Sequence, residues 1–411
     1  MYSSIVKSII KENQREIPQI NIFKRDIELD DSSSYIFEGL RYVGKSFLMF
    51  QHIQSLIKRG KASIDDILYI NFDDERLVSI AEKHLNQIIT NYKELHAGRQ
   101  PIIFLDEIQR VDGWVNFAYR LAEAGYRVFI TVSNAQVLKD RSALKLKRHY
   151  AVQHIHSFSI SEYLKVKGEE ISTEVSYIEY LNYGGFAESF NVGYKRDWIN
   201  ALYQKVLLEG VVKQSNLIDA MPIRALMRKI AESVTQPLTQ YRLQQITKLS
   251  GVEIPLSRVS YIMSAMQDSY LLFGFSNYAS LLTHKGKFQK YYLNDNGLLN
   301  IFLTNRAQEY PLLENLVAIE LAKRYGKEQV FYYQHHDVAV DFYMPQRNLA
   351  IQITHDISSR CDENSPEVKA FVEFNARHNV DRAIVVTLEE SKVIEVGDLT
   401  IECIPIWRWL L

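Results

Sequence analysis

Apolar residues recur along this chain in two rhythms, and the change from one to the other predicts its elements. In the first third the runs are short and nearly continuous: Tyr35-Ile36-Phe37, Ile67 to Phe72, Ile102 to Leu105 and Arg127 to Val132, with a strand-like segment, Tyr150 to Ile155, that Gln153-His154 interrupts. Uninterrupted runs of this length read as buried strands of a parallel sheet. Between them, Phe47 to Ile57 carries apolar residues at helical spacing, and Leu77 to Leu95 reads as a more polar helix. Alternating β and α predicts a parallel sheet covered on both faces. Ahead of it, Ile5, Ile9 and Ile10 mark a short amphipathic helix that leads into an extended segment, read as packing.

From about 170 to 300 the rhythm turns helical, with amphipathic segments at Asp197–Leu208 and Ile223–Ser233. Gln244–Leu249 and Leu256–Met263, with Gly251 between them, read as a helix-turn-helix; Tyr270–Phe275 and Gln289–Leu293 would be wing strands. The last stretch returns to α/β. A helix from Glu314 to Tyr325 precedes strands at Val330–Tyr333, Val338–Tyr343 and Leu349–Ile353. A helix over 366–378, a strand at Ala383–Thr387 and a last strand near Ile404 complete it. The expected organisation is three domains: 1–168 with the parallel sheet, 169–304 helical with a winged helix, and 305–411 a small α/β domain.

Composition adds exclusions. With 47% hydrophobic and 24% charged residues the 411-residue chain is globular. Two cysteines, Cys361 and Cys403, make neither a disulfide framework nor a zinc constellation. No apolar run reaches the ~18 residues of a membrane span, and the N-terminus lacks a signal-peptide pattern, so a cytoplasmic protein is expected.

The chemistry centres on Gly39-Leu40-Arg41-Tyr42-Val43-Gly44-Lys45-Ser46, which fits G-x-x-x-x-G-K-[ST] and lies between a strand and a helix. The glycines let successive N–H groups converge on a phosphate, and the helix start adds its positive end. Residues Gly39 to Ser46, with Phe47 after them, are the expected nucleotide cradle. Lys45 would reach the β- and γ-phosphates and Ser46 would ligate Mg²⁺. Ile102-Ile103-Phe104-Leu105-Asp106-Glu107 delivers two carboxylates from a buried strand, a Walker B arrangement. Asp106 would hold Mg²⁺ and Glu107 would polarise the attacking water. Asp73-Asp74-Glu75, at another strand end, either faces the nucleotide or is a solvated turn. Asn134 either senses the γ-phosphate or caps the next helix. Lys145, Lys147 and Arg148 hold either an arginine-finger-like cation or a solvated basic turn. An N-K-x-D motif is missing, as is a glycine three residues after Asp106, which favours ATP over GTP.

These segments, Gly39–Ser46, Tyr69 to Leu77 and Phe104 to Gln109, resemble a widespread prokaryotic group of AAA-type ATPases. Phe158-Ser159-Ile160-Ser161-Glu162-Tyr163-Leu164 and Tyr183-Gly184-Gly185-Phe186-Ala187-Glu188 resemble that group's F-S-F-x-E-[FY]-L and Y-G-G-F-P-E stretches. The resemblance implies a winged-helix middle and a C-terminal domain related to PD-(D/E)XK nucleases. It also selects Arg148 as the finger, with Lys147-Arg148 where the group has Gly-Arg. Departures are Leu40-Arg41-Tyr42 for P-R-R or P-R-Q, and Thr131-Val132-Ser133-Asn134 for T-G-S-[SN]. In the C-terminal domain Asp341 is present, but Gln352-Ile353-Thr354 replaces the E-x-K a nuclease needs around its metal, so an inactive nuclease fold is expected.

Charge is distributed unevenly. Residues 221–290 hold nine Lys/Arg and three Asp/Glu, whereas 305–411 hold eleven and seventeen. The basic middle suits double-stranded DNA or packing against a neighbouring domain; the acidic tail suits a protein partner. The expected function is a Mg²⁺-dependent, ATP-hydrolysing switch. The rivals are a DNA- or protein-binding module in which ATP is structural, and a P-loop phosphotransferase.

Overall fold

The computed structural model describes residues 2–168, 174–212, 220–279, 288–303, 309–354 and 365–411. The chain divides into two compact units. One comprises Met1–Ser157 with Asp268–Tyr270; the other comprises Phe158–Gln267 and Leu271–Leu411, so the expected middle and C-terminal domains share one unit.

The first unit is built on five parallel strands: β1 Ser34–Glu38, β2 Ile67–Asn71, β3 Ile102–Asp106, β4 Val128–Val132 and β5 Tyr150–His154. Their order across the sheet is β2-β3-β4-β1-β5. Every strand but β5 is nearly apolar, and Ile36, Leu68, Ile70, Ile103, Leu105 and Ile130 are fully buried on the sheet. On the face under helix Lys45–Lys58, Phe104 and Phe129 stack with centroids 4.7 Å apart, and His52 from that helix tilts onto Phe129. Burial, then the Arg127 charge, lowers the His52 pKa to about 4, so this is a neutral core imidazole.

The N-terminal helix Tyr2–Glu16 buries Val6, Ile9 and Ile10. It also protects an edge: Asn13 and Gln14 donate to the carbonyls of Tyr69 and Ile67, each at 3.0 Å, on strand β2. Side chains thus satisfy groups that an edge strand would leave open.

In the second unit the resemblance motifs have local structural reasons. Ser159 and Glu162 form a capping box at helix Ile160–Lys167, Ser159 Oγ accepting from Glu162 N and Glu162 Oε2 accepting from Ser159 N. A Cβ on Gly185 would lie 2.1 Å from the Phe158 carbonyl, so only glycine permits that approach. Helices Met221–Glu232, Gln240–Leu249 and Leu256–Asp268 follow, with Gly251 at φ +87° in the turn. Then come antiparallel strands β6 Leu272–Ser276 and β7 Gln289–Leu293, with Leu238 bridging Gln289. Both helices of the expected helix-turn-helix run longer than their apolar spacing predicts, and Lys285 and Lys287, two lysines of the basic excess expected to contribute from the wing, lie outside the described residues.

The remaining strands are β8 Phe331–His335, β9 Val338–Met344, β10 Leu349–Ile353, β11 Arg382–Thr387, β12 Lys392–Val396 and β13 Leu399–Pro405. They form a mixed sheet in the order β12-β13-β11-β10-β9-β8. Strand β12 was not legible in advance: Lys392 and Glu395 interrupt it, and only Ile394 within it is buried. Its pairing with β13 supplies the stability that its composition lacks.

Candidate active site

All five strands of the first unit point their C-terminal ends the same way, so the P-loop after β1 and the carboxylates after β3 reach one edge. Between them lies β4, paired to both. Its end supplies Thr131 and Ser133.

Gly39 sits at φ +148°, and a Cβ there would be 2.3 Å from the Ile155 carbonyl of the segment after β5. Tyr42 takes φ +66°, a left-handed conformation costly for a residue with a side chain. Gly44 at φ +92° opens helix Lys45–Lys58 without a side-chain cap. The first amides of that helix are therefore available to an anion, which the helix end favours. Arg25, itself buried, donates to the carbonyls of Val43 at 3.0 Å and His156 at 3.1 Å, bracing the loop from behind. Leu40 and Val43 are buried, while Phe47 is 39% exposed and meets Phe50 edge-on.

Lys45 is buried, and its ammonium donates to Gly39 O (3.0 Å), Leu40 O (2.9 Å) and Ser133 Oγ (2.9 Å). Burial lowers its pKa despite Glu107 and Asp106 nearby. The Ser133 hydroxyl in turn donates a hydrogen bond to Glu107 Oε1. The other oxygen, Oε2, accepts from Gln109 at 2.6 Å and from Arg41 at 3.4 Å, and the Lys45 ammonium lies 3.7 Å from Oε1. Burial alone would raise the Glu107 pKa; the Lys45 and Arg41 charges outweigh it and hold the carboxylate below its usual value.

Asp106 accepts from Tyr69 Oη at 2.6 Å, from Thr131 and from the Ser46 hydroxyl. Burial, then the neighbouring Glu107 charge, raises its pKa. A divalent ion would relieve that penalty. Ser46 beside Asp106 fits Mg²⁺, which takes one or two protein oxygens and completes its shell with water and phosphate. Among the described residues no group of three His, Cys, Asp or Glu forms a separate metal cluster.

The acidic turn after β2 divides its roles. Asp73 pairs with Arg41 of the P-loop at 3.5 Å and with Arg110. Asp74 caps the turn Glu75–Leu77 by accepting from Arg76 N. Asn134 Oδ1 accepts from Gln136 N at 2.9 Å, and Ser133 is the β4-end residue that meets Lys45 and Glu107. Thr131, Ser133 and Tyr69 were missed by motif reading. Their signal was a polar residue within or just beyond a strand otherwise wholly apolar.

Arg148 lies elsewhere. It precedes Tyr150, which pairs with Ser34 at the start of β1, whereas the P-loop leaves the other end at Glu38. The length of a five-residue strand, about 13 Å of rise, separates the two edges. There Arg148 is exposed and lines a cleft of ≈ 420 Å³ with Tyr119, Glu123, Leu144, Lys145 and His149.

Residues 31–164 match the family profile described as an AAA domain. The match supports an AAA-type P-loop ATPase family. A second profile, a domain of unknown function (DUF8612), covers residues 174–309. An uncharacterized protein of Methanocaldococcus jannaschii is 27% identical over 99% of this chain and 95% of its own length. An uncharacterized protein of Haemophilus influenzae is 26% identical over 75% of this chain and 79% of its own. Among solved structures, the Walker-type ATPase Paby2304 of Pyrococcus abyssi aligns with TM-score 0.39 and 13% identity, covering 72% of this chain and 94% of that one. The Aeropyrum pernix Orc1 protein in complex with DNA aligns with TM-score 0.32 and 14% identity, covering 74% and 94%. No helix among the described residues is long and apolar enough to cross a membrane.

Lys45→Ala tests the phosphate role of this loop. Losing a charge-assisted contact is expected to weaken ATP binding roughly tenfold to a hundredfold. Calorimetry that finds affinity within about twofold of the parent would remove the P-loop from nucleotide binding.

Proposed function

We propose that the protein is a Mg²⁺-dependent, ATP-hydrolysing molecular switch. The observation that carries this reading is the continuous contact Lys45–Ser133–Glu107 beside Asp106, facing an uncapped helix start. Lys45 is poised to trade its loop carbonyls for phosphate oxygens. Glu107, kept ionised by Lys45 and Arg41, is the base that orients and deprotonates water. Mg²⁺ held by Ser46 and Asp106 would neutralise charge on the β- and γ-phosphates. Arg148 is too far along the sheet to serve its own P-loop, so its finger role is proposed in trans, at the P-loop of a second copy.

A second reading concerns nucleic acid. The helices Gln240–Leu249 and Leu256–Asp268 with hairpin β6–β7 support a winged helix, and Arg242 and Arg258 are exposed on its helices. Lys290, which belonged to the basic excess, is buried and ion-paired, so it is withdrawn from any phosphate contact. If duplex DNA is bound, affinity falls steeply with salt, and Arg258→Ala weakens it while lowering the salt slope by about one. Phosphate release with and without duplex DNA tests both readings together. Turnover without an acceptor supports the switch, and DNA stimulation links the two. Absence of salt-dependent binding would leave the basic helices as a packing or protein surface. The C-terminal sheet is read as a nuclease-like fold without nuclease activity, for which Mg²⁺ or Mn²⁺ should elicit no cleavage.

A further inference from the structure

Strand β7 has an unusual inward residue. In Gln289-Lys290-Tyr291-Tyr292-Leu293 the lysine is buried. Its ammonium donates to Glu314 Oε1 at 3.0 Å and Asp341 Oδ1 at 3.2 Å, and lies 5.7 Å from the centre of the Tyr332 ring. The two carboxylates come from different elements, Glu314 from helix Glu309–Tyr325 and Asp341 from β9, and they converge on one point.

We infer that the Lys290 ammonium fills a cation site between Glu314 and Asp341, standing where a divalent metal ion would otherwise be held. This inference does not depend on nucleotide chemistry at the P-loop.

Electrostatics requires a cation here. Glu314 is 0% exposed and Asp341 7% exposed, and two ionised carboxylates that close cannot both be buried without one. Burial would lower a lysine, but Glu314 and Asp341 outweigh it and keep Lys290 charged.

The remaining lone pairs resemble those of a metal pocket more than a simple ion pair. Glu314 Oε1 also accepts from Tyr292 Oη at 2.7 Å, and the Tyr310 hydroxyl bonds to the same carboxylate, while no group among the described residues meets Oε2 in good hydrogen-bond geometry. Asp341 Oδ2 accepts from Ile353 N at 3.1 Å, and Gln352 Oε1 accepts from Asp341 N at 3.0 Å. Gln352 thus turns its carbonyl oxygen to the Asp341 backbone and leaves the site to the lysine. A tethered ammonium closes the pocket permanently and pins hairpin β6–β7 to the sheet, where Phe275 and Tyr292 meet Phe342 at 6.0 and 5.9 Å.

The test is thermal melting of the nucleotide-free protein in EDTA and in millimolar MnCl₂. Wild type is expected to melt alike in both. Lys290→Met leaves a buried anion pair, and in EDTA its transition should fall by roughly 6–20 °C. Mn²⁺ should restore at least half of that loss, because the ion takes the vacated position. Lys290→Met/Glu314→Gln removes the cation with one of its anions; it should melt above Lys290→Met in EDTA and show no Mn²⁺ response. Any ion bound at the P-loop is common to all three proteins and cancels. Equal Mn²⁺ responses in the single and double variants would overturn the inference, as would a Lys290→Met transition in EDTA matching wild type. If Lys290→Met cannot be recovered folded, the double variant decides: folded and indifferent to Mn²⁺ supports the inference, and failure to fold overturns it.

Discussion

Glu107→Gln is expected to bind ATP and to hydrolyse it roughly 10²–10⁴ times more slowly than the parent. The amide keeps the shape of the carboxylate and can still accept from Ser133, so the contact that connects it to Lys45 survives. It cannot take a proton from water. The loss should therefore fall on turnover and leave nucleotide affinity nearly unchanged, which separates chemistry from binding. Asp106→Asn should behave differently: it removes the charge beside Ser46 and weakens binding only when Mg²⁺ is present. Single-turnover hydrolysis and calorimetry in parallel measure both. Unchanged turnover in Glu107→Gln would move the base elsewhere, and Asp73, paired with Arg41 and Arg110 on the same edge, would be next to examine.

Arg148→Ala should leave ATP affinity within about twofold and slow hydrolysis by as much as 10³-fold, the lower end of what arginine fingers contribute. Because Arg148 sits at the edge of the sheet opposite its own P-loop, the proposed finger role requires a second molecule. Specific activity should rise with protein concentration. Mixing Arg148→Ala with Glu107→Gln should recover part of the activity, since the mixed contact can join an intact finger to an intact base. Activity independent of concentration, with no recovery on mixing, would return Arg148 to the solvated basic turn that its neighbours Lys145 and Lys147 also allow.

The parts of this molecule that depend on neighbours in sequence were legible in the sequence. Gly39 and Gly44 at their spacing, with an apolar strand before and a helical run after, specify a loop whose amides converge, because backbone conformation there is a local matter. The placement of Asp106-Glu107 was legible too, since a short apolar run ending in two carboxylates fits a buried parallel strand that delivers them at its end. The same holds for the capping box at Ser159 and Glu162.

Tertiary structure decided the rest. That β4 lies between β1 and β3 is a matter of long-range pairing, and only this order puts Thr131 and Ser133 between the lysine and the two acids. Sequence distance from the motif could not separate Ser133 from Asn134; the direction of the chain leaving β4 did. Nor could a charge count distinguish a solvated lysine from a buried one. Lys290 adds to the basic excess of 221–290 like its neighbours in the chain, yet the fold pairs it with Glu314 and Asp341, both remote in sequence. The physical reason is the same in each case. Backbone conformation follows from adjacent residues, whereas the partner of a buried polar group is whatever the folded chain brings within about 3 Å of it.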